Sequence, residues 1–173
     1  MTRRRALIAA AIASAVLFLV LGWLDLRMRD AGGPGIIGFE VAGTQERAAE
    51  ILADWGDRGT DAAKASLWLD YAFIVAYGVF LVLAVSATRD LAERRGWERM
   101  ASLGYPVMSF AAAGAAFDAI EDVGLLLAVN QHGSDVAPRL GQVCATFKFA
   151  LLALTITYLL AGLALRRRRP VAA

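Results

Sequence analysis

Four stretches of the chain are apolar for long enough to cross a bilayer, and polar residues gather between them. A hydrocarbon core needs a helix of about 20 predominantly apolar residues. The first stretch covers about residues 6–26 and carries no charge from Ala6 to Leu24. The second covers about 66–88, the third about 106–129, and the fourth about 140–165, stopping abruptly at Arg166. Pro106 suits the first turn of the third helix, where a missing N–H matters least. The pattern predicts an all-α fold: an antiparallel four-helix transmembrane bundle forming a single domain over residues 1–173.

The connections differ in size. A long one runs from Arg27 to Ala65, and shorter ones run from Arg89 to Tyr105 and from Asn130 to Arg139. The long connection opens with a turn-rich Gly32-Gly33-Pro34-Gly35. It then becomes helical over 45–55, where Ala48, Ile51, Leu52 and Trp55 recur at i, i+3, i+4 and i+7 on one face. Thr44 can cap this amphipathic helix and Gly56 can end it. It is too short to span, so it is expected to lie on the outer surface or lid the bundle.

Composition supports a membrane protein. The chain has 173 residues, 58% of them hydrophobic, and a mean hydropathy of +0.54, more apolar than is usual for a soluble domain. Its net charge is +2. The basic excess sits at Arg3 to Arg5 and Arg166 to Arg169, where it fixes orientation and attracts anionic lipid rather than nucleic acid. Lys and Arg crowd the N-terminus, the second connection and the C-terminus more densely than the other two connections. This places both termini in the cytoplasm of a multi-pass protein of the plasma (cytoplasmic) membrane. Arg3 to Arg5 before an apolar run also fits a signal peptide, but the run is long and no small-residue cleavage site precedes Asp25, so a retained helix is expected. The lone Cys144 excludes an internal disulfide, and the lone His132 reads as a polar loop residue.

Charges inside the apolar runs change the picture most. Asp70 lies in the second span, Asp118, Glu121 and Asp122 in the third, and Lys148 in the fourth. Charge at such depth costs several kcal/mol and normally faces a protein interior or water. At about 1.5 Å rise per residue, these groups fall roughly 6–17 Å below the outer boundary. Asp118, Glu121 and Asp122 share a face with Ala111, Gly114 and Ala115, small residues that permit close helix approach. Gly141, Cys144, Lys148, Thr155, Tyr158 and Gly162 form a stripe on the fourth helix, and Asp70 and Tyr77 share a face on the second. Four carboxylates and one ammonium cannot all be charged cheaply at low dielectric, so water reaches them or some carboxyls keep a proton.

Tyr71, Tyr105 and Tyr158 are weaker proton-donor candidates, and Tyr71, Tyr105, Trp23, Trp68 and Trp97 read as interface anchors. Cys144 could be a thiolate stabilised by Lys148, though a small apolar filler is the commoner role. No phosphate loop, nucleophile motif, metal-binding set or cofactor motif stands out.

Phe39-Glu40, Ala48, Ile51-Leu52, Trp55-Gly56, Leu69-Asp70-Tyr71 and Tyr77, followed by Asp118, Glu121-Asp122 and Lys148, carry a resemblance. Together they resemble a group of uncharacterised bacterial four-span integral membrane proteins. The resemblance covers most of the chain and implies the four-helix layout and a shared polar core, but no activity.

Three functions remain open. The first is a pocket in the outer half of the bilayer that binds or moves a proton, cation or amphipathic ligand through Asp70, Tyr77, Asp118, Glu121, Asp122 and Lys148. The second is an accessory subunit whose charges only order the helices and whose partner is a membrane protein or a second copy. The third is a lipid-modifying enzyme using a carboxyl as general acid or base.

Overall fold

The computed structural model describes residues 2–130 and 135–167. Among these the chain is all-helical, with α1 (Arg3–Asp30), α2 (Ile36–Glu40), α3 (Gln45–Arg94), α4 (Glu98–Val129) and α5 (Val136–Arg167). Its long helices make it a helical bundle, and α1, α3 and α5 are long and apolar enough to cross a membrane. α4 has comparable length and packs along both α3 and α5, whereas α1 packs mainly on α3.

Paired contacts show how neighbours align. Arg3 meets Asp90, Phe18 meets Phe73, and Ala31 approaches Gly59. Further along, Arg89 packs on Gly104 and Tyr77 bonds Asp118. Between α4 and α5, Gly124 faces Ala137, Asp118 meets Lys148, and Met100 meets Tyr158 and Gly162. A Cβ on Gly124 would lie 2.9 Å from the Ala137 carbonyl oxygen and 3.2 Å from the Gly141 nitrogen. The missing side chain lets the two backbones approach beside the charged residues.

The outside of the bundle is apolar. Ile12, Phe18, Leu19 and Leu26 on α1, Val75 on α3, and Phe147, Leu154 and Leu160 on α5 are all exposed. A surface this apolar suits lipid tails rather than water. Arg27 lies over the Trp23 ring at one end and Arg89 over Tyr105 at the other, the amphipathic pairings found at membrane interfaces.

Helix boundaries differ from the sequence reading in three places. Residues 57–65 are helical and join the amphipathic helix to the second span, with one break at Gly56 (φ 54°, ψ −163°). Their charges suggested a loop, but Gly59, Ala62, Ala63, Ser66 and Leu67 bury one face. α2 also appears just after the turn-rich glycines, in a stretch to which the sequence pattern assigns no element: Ile36 N–H donates to Asp25 Oδ1 at 2.7 Å and starts it. Pro106 lies inside α4 rather than in its first turn, because the chain turns at Gly96 and Trp97 and the helix begins at Glu98. Pro106 faces outward, and only one helical hydrogen bond is forfeited.

α2 and the 45–55 arm of α3 form a cap over one end of the bundle. Phe39, Ile51, Leu52 and Trp55 pack with Met28, Leu67, Leu125 and Val129 in one apolar cluster. Trp55 Nε1 donates to the Pro34 carbonyl at 2.6 Å, and its ring lies 5.2 Å from Phe39. Thr44 caps α3 by accepting from Arg47 N–H, as expected.

Candidate functional site

Directly under this cap, α2, α3, α4 and α5 bring ionisable side chains together. Lys148 Nζ on α5 lies 2.8 Å from Asp118 Oδ1, 2.7 Å from Glu121 Oε2 and 3.8 Å from Glu40 Oε2. The Tyr77 hydroxyl on α3 donates to the other Asp118 oxygen, Oδ2, at 2.6 Å. Asp118 therefore accepts from two helices at once. Asp70, Asp118 and Asp122 also each present an oxygen, and the three lie within 4.8 Å of one another.

The local sequence explains the convergence. Asp118, Glu121 and Asp122 stand at i, i+3 and i+4 on the buried face of α4. Cys144, Lys148, Thr155 and Tyr158 are likewise buried along α5. Exposure is 4% for Asp118, 0% for Glu121, 3% for Asp122, 6% for Lys148 and 9% for Glu40, while Asp70 is half-buried.

All six residues singled out from sequence meet in this layer: Asp70, Tyr77, Asp118, Glu121, Asp122 and Lys148. Sequence reasoning missed Glu40 as a member. It ends a five-residue helix, too short to show a period; its place after Ile36, Ile37 and Phe39, and its presence among the residues carrying the resemblance, were the signals available. The layer was expected to open outward, but the cap lies across it. Two cavities, of about 430 Å³ beside Gly56 and Asn130 and about 340 Å³ beside Arg3 and Arg94, are lined by none of these residues.

The weaker candidates resolve differently. Tyr158 donates to the Met100 carbonyl at 3.0 Å, far from the layer. Tyr71 packs near Trp68, with ring centroids 6.0 Å apart, and Tyr105 is exposed. Cys144 is free and buried. His132, Arg168 and Arg169 lie outside the described residues.

Charge in the layer is unbalanced. Five carboxylates face one ammonium, and every described ion pair to these acids comes from Lys148. Among the described residues several buried oxygens have no aligned hydrogen-bond donor: Glu40 Oε2 and Glu121 Oε2, which face the Lys148 ammonium, and Glu121 Oε1 and Asp122 Oδ2. Lys148 Nζ and Glu121 Oε2 form a close ion pair at 2.7 Å, off the alignment of a good hydrogen bond. At Glu40, outside the spans, burial raises the carboxyl above its ordinary value of 4.5; Lys148 lowers it in part, and Asp118 raises it again. An orphaned buried polar group costs about 1–3 kcal/mol, and more when charged. The arrangement can therefore hold protons or a cation. Tyr77 and Lys148 pin one acid while its neighbours stay free to accept.

No protein-family model, curated protein or solved structure gives a significant match to this chain.

Proposed function

We propose that this is a four-span membrane protein whose buried charged layer takes up protons or small cations from the outer side. In this reading α1, α3, α4 and α5 cross the bilayer antiparallel. Opposite-running contacts such as Arg3–Asp90 with Ala31–Gly59, and Gly124–Ala137 with Met100–Tyr158, support it. Both termini lie in the cytoplasm of a bacterial plasma membrane, and the cap lies outside, as the Lys and Arg distribution favours. Lipids surround the exposed apolar faces.

The observation that carries the function is the excess of buried acid over base, with Glu121 Oε1 and Asp122 Oδ2 lacking any donor among the described residues. Ionisable groups at this depth are functional by default, and a purely structural pair would need one acid for Lys148 rather than three. The test is an infrared pH titration of the detergent-solubilised protein. Protonated-carboxyl bands that respond to pH or to added cations, and that disappear in an Asp70→Asn, Asp118→Asn, Glu121→Gln variant, are expected. A layer that stays fully ionised and inert to both would overturn the reading.

A second reading has its own support. Tyr77, Asp118 and Lys148 form a linked network across three helices, which is the geometry of a staple. It predicts that Asp70→Asn, Asp118→Asn, Glu121→Gln and Lys148→Met together unfold the protein in a thermal melt. The first reading predicts a melt at the wild-type temperature or above, since replacing buried ion pairs is often neutral or stabilising.

A further inference from the structure

We infer that Asp70, Asp118 and Asp122 form a site for one divalent, oxygen-preferring metal ion of the Ca²⁺ or Mn²⁺ kind. The inference rests on the cation-uptake reading and names the cation. The sequence suggested no metal site, because its acids are scattered over two helices; packing α3 on α4 supplies the missing proximity.

The three oxygens lie within 4.8 Å of one another, close enough that small side-chain shifts bring all three to the roughly 2.4 Å of a metal–oxygen bond around one ion. An acidic cluster alone would mean little. Here Asp122 is almost fully buried, belongs to the cluster, and keeps Oδ2 without any donor among the described residues. Asp118 is a preorganised ligand: Tyr77 and Lys148 each occupy one of its oxygens, and a carboxylate oxygen has a second lone pair to offer. Asp70 is the half-buried member of the three.

Charge selects the valence. With all groups ionised, five carboxylates and Lys148 leave four negative charges uncompensated. A monovalent ion removes one of these and a divalent ion two. Soft metals are disfavoured because all three ligands are carboxylates and no cysteine or histidine is among them. The ligand count leaves room for water, as Ca²⁺ and Mn²⁺ sites commonly do.

The experiment uses the full chain in detergent, stripped of metal and titrated with Mn²⁺ under electron paramagnetic resonance, then with Ca²⁺ as competitor. One Mn²⁺ per chain, displaced by Ca²⁺, is expected. Asp70→Asn and Asp122→Asn should each weaken it by at least about 10-fold. Glu40→Gln, on the other side of Lys148, should keep the stoichiometry and weaken binding less than either. Should an Asn variant fail to fold, Tb³⁺ luminescence of the wild type excited through Tyr77 locates the ion, and Tyr77→Phe should dim it. Binding that survives both Asn variants, or an ion without Tyr77 sensitisation, overturns the site. No binding of Mn²⁺ or Ca²⁺ at millimolar concentration also overturns it. If the infrared titration then still finds protons on the layer, cation uptake stands with the proton alone; if it finds none, both fall.

Discussion

Lys148 contacts Asp118, Glu121 and Glu40, yet it makes a well-aligned hydrogen bond only to Asp118. Removing it strands three acids. Lys148→Met alone should therefore destabilise by about 3–5 kcal/mol, the usual consequence of breaking a buried pair, and more than the fourfold neutral variant. Denaturation of both in the same detergent checks the order. Tyr77→Phe removes one donor to Asp118 and should cost about 1–3 kcal/mol. Glu40 brings a pH dependence. Its carboxyl is raised by burial, with Lys148, Asp118 and Glu121 facing it, so the folded protein holds the proton more tightly than the unfolded chain. Its contribution to stability is complete below its ordinary value of 4.5 and is lost as pH rises through the raised value. Melting temperature measured from pH 4.5 upward should fall less steeply in Glu40→Gln.

α3 is the element that the amino-acid pattern describes least completely. Its two arms obey one face rule, with Ala48, Ile51, Leu52 and Trp55 before Gly56 and Gly59, Ala62, Ala63 and Ser66 after it. The second set is small rather than large, so hydropathy alone does not reveal it. Gly56 joins the arms at φ 54° and ψ −163°, a conformation costly for any residue with a side chain. A Cβ there would touch nothing. Gly56→Ala should thus act through the backbone alone, at about 1–3 kcal/mol, and loosen the cap. Faster hydrogen exchange at 36–55, with the rest of α3 unchanged, is the expected readout. Trp55→Ala should act on the same cap through packing, at about 3–5 kcal/mol.

For the whole molecule, orientation is the property most open to a direct check. In a Cys144→Ser background, a cysteine replacing exposed Glu50 on the cap should react with a membrane-impermeant thiol reagent in intact cells. One replacing exposed Glu93 near the end of α3 should react only after lysis. The opposite pattern would invert the proposed topology and move the charged layer to the cytoplasmic half of the bilayer.

Length and periodicity determined the apolar parts of the long helices and their inward faces, because a stripe is a local property of spacing; they did not determine that 57–65 is helical or that α4 begins at Glu98. The stripes of α4 and α5 were legible for that reason, down to Asp118 and Lys148. Tertiary structure alone decided which acids meet which base. Glu40 reaches Lys148 only because Asp25 anchors α2 and Trp55 and Phe39 hold it down. Asp70 joins Asp118 and Asp122 only through the packing of α3 against α4. Such contacts link residues far apart in the chain, and their strength depends on distance and burial, which no spacing along a single helix encodes.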